Sequence, residues 1–193
     1  MDNKDIRTLK FLEEIDNDHT PSQRDLSRKL DVSLGLVNSF IRRLVHKGYL
    51  KITTVPKNRV KYILTPKGVA EKTRLTYQYV QYSFEFYRRA RENLKELFKE
   101  LMAQQVKRVV FYGVSDFAEI AYISLQETPI RMVAIFDEKK EGKMFLGELI
   151  NNSAMLDSIL FDKIIITYMI EEGAALEKLL KKGIPRNKIV MLE

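Results

Sequence analysis

The chain has 193 residues, 45% hydrophobic and 31% charged, the composition of a folded domain or a pair of small ones rather than of a disordered segment. It contains no cysteine, which excludes disulfides, thiolate metal sites and cysteine nucleophiles. The net charge of +7 is unevenly divided: residues 1–100 hold 21 Lys/Arg against 13 Asp/Glu, a balance of +8, and residues 101–193 hold 12 against 13, a balance of −1.

Ile6, Leu9, Leu12 and Ile15, broadened by Phe11, predict a first helix over about 3–16. Thr20-Pro21-Ser22-Gln23 offers Thr20 as a cap, Pro21 at the first helical position and Gln23 to complete a capping box, so a second helix is expected over 21–30. Asp31-Val32 makes a turn and Ser33 caps a third helix, which runs to about Lys47 before Gly48. Its core-facing positions are Val37, Ile41, Leu44 and Val45. Tyr49–Thr53 and Val60–Leu64 alternate as half-buried strands, with Pro56–Arg59 as a hairpin tip. Thr65-Pro66 opens a helix to about residue 101, with Leu75, Tyr79, Tyr82, Phe86, Ala90, Leu94, Leu97 and Leu101 three or four residues apart. That stripe fits either dimerisation or packing against the chain's own C-terminal part.

From residue 106 the texture changes. Val106–Tyr112, Ile130–Phe136, Ile164–Thr167 and Ile189–Leu192 are short β-branched runs, with helical segments near 116–126, 153–160 and 171–182. The alternation predicts β-α-β units and a parallel sheet, with one further short strand within 142–150. No apolar run approaches the roughly 18 residues of a membrane span, and the opening MDNKDIRTLK lacks a signal-like apolar region. A cytoplasmic protein without membrane contact is the expectation.

The segment PSQRDLSRKLDVSLGLVNSFIRRLVHKGYL, the hairpin after it and the signal Leu64-Thr65-Pro66-Lys67-Gly68 resemble the winged helix-turn-helix of MarR-type regulators. The resemblance implies double-stranded DNA as partner. The third helix would then enter the major groove by its N-terminal part, presenting Ser33, Leu34, Gly35, Asn38, Ser39 and Arg42. Asn38 and Arg42 are the types that bind adenine and guanine bidentately. Residues 20–61 carry ten basic residues and only two acidic ones, Asp25 and Asp31, the footprint of a polyanion partner. Arg24, Arg28, Lys29, Arg43 and Lys47 are candidates for phosphate contacts, and Lys57, Arg59 and Lys61 for contacts from the wing.

Gly113-Val114-Ser115-Asp116-Phe117-Ala118 stands where a dinucleotide fingerprint would sit, with Ser115 replacing the middle glycine. Ser115 adds a Cβ where phosphate would approach, or caps the helix and leaves an anion site. Asp137, 24 residues after Gly113, is either a ribose-binding carboxylate or a turn residue. The run 142–150 resembles the GKxxxGxxV turn of Rex-type redox repressors and of the Rossmann-like domains of nucleotide-sugar and polysaccharide-modifying enzymes; the ending 183–190 is closer to the second group. The resemblance implies NAD or a sugar nucleotide at Gly113, Ser115, Asp116 and Asp137. An empty site is the preferred expectation, because one substituted glycine and one ambiguous aspartate carry the match.

The expected architecture is therefore an α+β winged helix-turn-helix over 1–68, a linking or dimerisation helix over 69–104 and an α/β Rossmann-like parallel sheet over 105–193. The expected function is a homodimeric DNA-binding transcriptional regulator, with nucleotide tuning left open. A protein-protein scaffold of the same folds, or a nucleotide-dependent enzyme, are the alternatives. Both histidines, His19 and His46, lie outside the C-terminal region, which leaves that region without the commonest general base; no catalytic residue and no metal site is expected.

Overall fold

The computed structural model describes residues 1–17, 21–55, 59–169 and 172–191, the side chains of Val55 and Arg59 excepted. It divides into two compact units, Met1–Glu85 and Phe86–Glu193. None of the described helices is long and apolar enough to cross a membrane.

In the first unit, helices α1 (Asn3–Asn17), α2 (Gln23–Leu30) and α3 (Leu34–His46) precede an antiparallel hairpin of β1 (Leu50–Val55) and β2 (Arg59–Leu64). Leu9, Leu12 and Ile15 of α1, Leu26 of α2 and Val37, Ile41 and Leu44 of α3 share one core. The Phe11 and Phe40 rings stack inside it with centroids 4.6 Å apart. Phe40 thus takes the core place expected of Val45, which is exposed, because the inward side of α3 turns through 37, 40, 41 and 44. The cap of α2 also differs from expectation. Ser22, not Thr20, is the N-cap: its Oγ accepts from the Asp25 N–H at 3.1 Å, and the Asp25 carboxylate accepts from the Ser22 N–H at 3.1 Å. Pro21 therefore precedes the helix, Asp25 replaces Gln23 in the capping box, and Thr20 lies outside the described residues.

The long helix α4 (Pro66–Ala103) follows directly. Thr65 Oγ1 donates to the Gly48 carbonyl at 2.6 Å and accepts from the Gly68 N–H at 3.0 Å. Gly68 is set by space: a Cβ there would lie 2.0 Å from the Tyr49 carbonyl oxygen. The expected apolar stripe does not serve one purpose along α4. Leu75 belongs to the first unit's core, whereas Ala90, Leu94, Phe98 and Leu101 belong to the second unit's core with Val109 and Phe111. Residues 79–89 between them are exposed on every side.

The second unit is a six-stranded mixed sheet. Its elements are β3 (Arg108–Tyr112), α5 (Asp116–Leu125), β4 (Arg131–Phe136), β5 (Met144–Phe145), β6 (Glu148–Asn151), a 3-10 helix (Ser153–Ser158), β7 (Lys163–Ile166), α6 (Glu172–Lys181), a 3-10 turn (Arg186–Lys188) and β8 (Ile189–Val190). The spatial order is β5-β6-β4-β3-β7-β8, with β5 antiparallel to β6 and every other pairing parallel. Strand alternation splits the apolar residues between two faces. Val109, Phe111, Ile135 and Ile165 pack with α5 and the end of α4, while Val110, Phe136, Ile164 and Ile166 pack with the 3-10 helix and α6. The single strand expected within 142–150 is a hairpin of two, because Leu146 and Gly147 both adopt positive φ, 47° and 92°, as a two-residue hairpin turn requires. The segment at 153–160 is a 3-10 helix rather than an α-helix.

Candidate nucleic-acid interface

The exposed side of α3 is built from its first turn. Ser33 is the N-cap, its Oγ accepting from the Leu36 N–H at 3.3 Å. Ser33, Leu34, Gly35, Ser39 and Arg42 are exposed, and Asn38 is half-buried. Leu34 leaves 41% of its surface open at the start of a helix, where an apolar side chain can meet a thymine methyl group. A Cβ on Gly35 would meet nothing within 4 Å, so the protein's own packing does not require glycine there. Arg24 and Arg28 are exposed on α2; Arg28 is paired with Asp25, whose carboxyl is held below its ordinary range chiefly by the Ser22 hydrogen bonds and then by Arg28.

Arg43 stands apart from this set. Its guanidinium lies over the Phe40 ring at 4.1 Å, and its Nη2 is buried without a hydrogen-bond partner among the described residues. It packs inward, unlike an open phosphate contact. Lys61 is half-buried on β2. Lys57 lies outside the described residues, as does the side chain of Arg59. A groove of about 580 Å³ between the starts of α2 and α3 and strand β2 brings Arg24 and Leu34 together with Gln23 and Val60. Sequence reasoning did not select the last two. The signal was present in the register: Val60 lies two residues from the inward Tyr62, whose hydroxyl accepts from Gln23 Nε2 at 3.4 Å.

In the second candidate, the loop after β3, the protein's own groups engage each of Gly113, Ser115 and Asp137. Gly113 has φ 112°, and a Cβ there would lie 2.6 Å from the Tyr168 ring. Ser115 caps α5: its Oγ accepts from the Ala118 N–H at 3.3 Å and donates to the Thr167 carbonyl at 2.6 Å. The Thr167 hydroxyl donates to the Gly113 carbonyl. Asp137 is 2% exposed and accepts from the N–H groups of Val114 and Lys139, both at 2.9 Å. Burial, and then the neighbouring Asp137 carboxylate, push the Tyr168 hydroxyl far above its ordinary range. Asp116 is exposed on the first turn of α5. Among the described residues no group of three or more His, Cys, Asp or Glu could hold a metal.

Residues 1–51 match a family model described as winged helix-turn-helix DNA-binding, a stretch that covers α1, α2 and α3 and reaches the start of β1. Three helices followed by an antiparallel hairpin are the architecture of a winged helix-turn-helix. No curated protein matches the chain. Among solved structures, it is similar to a MepR-like protein complexed with pseudoligands, at 20% identity over 49% of this chain and 71% of that one, TM-score 0.38. It is also similar to MepR, a transcription regulator of the Staphylococcus aureus multidrug efflux pump MepA, at 17% identity over 54% and 80%, TM-score 0.40. A third, the S. aureus MepR-DNA complex, has 17% identity over 54% and 78%, TM-score 0.39.

Proposed function

We propose that this chain is a DNA-binding transcription regulator that acts as a homodimer, with α3 in the major groove and the β1–β2 hairpin beside it. The observation that carries the reading is the open side of α3. Ser33, Asn38, Ser39 and Arg42 present donors and acceptors there, and the Arg42 guanidinium has no carboxylate partner among the described residues. The functional division is a winged helix over 1–68, a linking helix over 69–104 and an α/β domain over 105–193, with residues 90–101 of the helix also serving the core of the last.

The exposed middle of α4 supports the dimer. Tyr77, Val80, Phe84 and Tyr87 form one stripe at 100° per residue and Tyr79, Tyr82 and Phe86 another, exposed by 37–65%. Glu85 is the one charged residue in 76–87. At 150–250 Å² per aromatic side chain, the open area is about 350 Å² on the first stripe and about 250 Å² on the second, each the size of a patch that marks an interaction site.

We read the second domain as Rossmann-like. Taken in chain order, its five parallel strands lie third, second, first, fourth, fifth across the sheet, the order of one doubly wound half plus its continuation. Its fingerprint loop is closed: NAD or a sugar nucleotide would meet the Tyr168 ring at Gly113, and Asp137 already serves two backbone N–H groups.

Binding to genomic fragments followed by fluorescence anisotropy tests the regulator. Affinity should fall steeply with salt, and the sites selected should be palindromes with half-sites about 34–36 Å apart or a multiple of that. Arg42→Ala should cost about 1–3 kcal/mol and relax the preference at one base pair, while Arg24→Ala should weaken all sequences alike. Tyr77→Glu/Phe84→Glu should give a folded monomer by light scattering that no longer distinguishes the palindrome. No retention of any fragment at low salt would end the regulator reading, and an unchanged dimer mass would end the assignment of α4 to its interface.

A further inference from the structure

Between the C-terminal half of α4 and the end of α5 lies a cavity of about 520 Å³, within the 300–1,000 Å³ range of small-molecule sites. Its lining falls wholly within residues 87–128, inside the second unit. Its floor is apolar, made by Tyr87 and Met102, which keep 37% and 38% of their surface open, with the fully buried Phe98 beneath them. Its walls carry four cations, Arg88, Arg91, Lys95 and Lys99, against the carboxylates of Glu92 and Glu127. The spacing of 88, 91, 95 and 99 keeps all four cations along one side of the helix.

Two of those cations are engaged and two are not. Arg91 Nη2 holds Glu127 Oε1 at 2.6 Å, and Lys99 Nζ stands 3.9 Å from Glu96 Oε2. Arg88 and Lys95 have no ion partner among the described residues. The hydroxyls nearby do not compete for a ligand: Ser124 donates to the Ile120 carbonyl at 2.7 Å and Thr128 to the Leu125 carbonyl at 2.8 Å. We propose that this cavity binds a small organic anion with an apolar body, an aromatic or aliphatic carboxylate. The carboxylate lies against Arg88 and Lys95, and the body lies on Tyr87 and Met102. A neutral ligand would leave the surplus of positive charge unmatched, and an inorganic anion would leave the apolar floor uncovered. The site is separate from the residues assigned to DNA and from the loop at Gly113, and shares Tyr87 alone with the stripe assigned to the dimer.

Calorimetry on the full chain with 2-naphthoate, its neutral amide 2-naphthamide and inorganic phosphate tests this. Naphthoate should bind, and the other two should bind at least tenfold more weakly, as the loss of a charged contact or of the apolar one requires. Arg88→Gln and Lys95→Gln should each weaken naphthoate about tenfold. Glu127→Gln removes the carboxylate that holds Arg91, and should tighten naphthoate severalfold. Light scattering on the same variants should give the wild-type mass, which separates a failure here from a failure of the dimer. The proposal is overturned if naphthoate does not bind, if the amide or phosphate binds equally well, or if naphthoate affinity is indifferent to residues 88, 95 and 127.

Discussion

Ser33 and Ser115 do the same local work and end in opposite surroundings. Each caps a helix, and each accepts from the N–H three residues on at 3.3 Å. Ser33 then opens onto an exposed turn containing Leu34 and Gly35, where a Cβ would meet empty space. Ser115 donates onward to the Thr167 carbonyl, beside a glycine where a Cβ would strike the Tyr168 ring. A helix N-terminus offers N–H groups to an anion wherever it occurs; whether it becomes an interface depends on what else claims the space. At α3 nothing described does. At α5 the loop's own carbonyls, Asp137 and Tyr168 do.

The glycines should give the largest contrast. Gly113→Ala puts a methyl into the Tyr168 ring at φ 112°, and should cost about 2–4 kcal/mol in urea unfolding. Gly35→Ala should stabilise by up to about 1 kcal/mol, since glycine is the poorer helix former, while weakening DNA binding because the methyl stands where the duplex approaches. Equal DNA affinity for Gly35→Ala would remove α3's first turn from the interface and break the contrast. The serines give the next. Both Ser→Ala changes lose a cap, worth about 1 kcal/mol; Ser115→Ala also strips the hydrogen bond to Thr167, roughly 1 kcal/mol more, and should be the more destabilising of the two.

The smallest effect is a pH dependence. The Tyr168 hydroxyl is held above its ordinary value by burial first and by Asp137 second. A raised folded-state pKa contributes stability that is fully present below the unfolded value near pH 10 and is lost as pH rises through the folded one. Stability should therefore decline above about pH 10, and less so in Tyr168→Phe. Absorbance at 295 nm should show at least one tyrosine ionising late; a single ordinary titration with no late component would mean that the ring over Gly113 is loosely held.

The N-terminal domain was legible in the sequence because its signals are local. Helix periods, the Ser33 cap, the Gly48 stop and the Thr65-Pro66 start lie within a few residues of the structure they specify, and the strand alternation needs one hairpin partner. The errors there were of the same local kind, a cap placed at Thr20 rather than Ser22 and a core position given to Val45 rather than Phe40. The stripe along α4 was legible as apolar, but its division was not. Periodicity marks a residue as wanting cover and is silent on what covers it. Leu94 and Phe98 find it on the sheet of their own domain, and Tyr82 and Phe84 do not.

The sequence by itself determined the order of elements, the basic character of the first hundred residues and the chemistry on offer at α3, because each depends on neighbouring residues or on simple sums. Only the tertiary structure decided that Tyr168 and Asp137 pack against the loop at Gly113. Tyr168 lies 55 residues further along the chain and Asp137 lies 24. They meet there because β4 and β7 flank β3 in the sheet, a parallel pairing across long connections that no local pattern encodes.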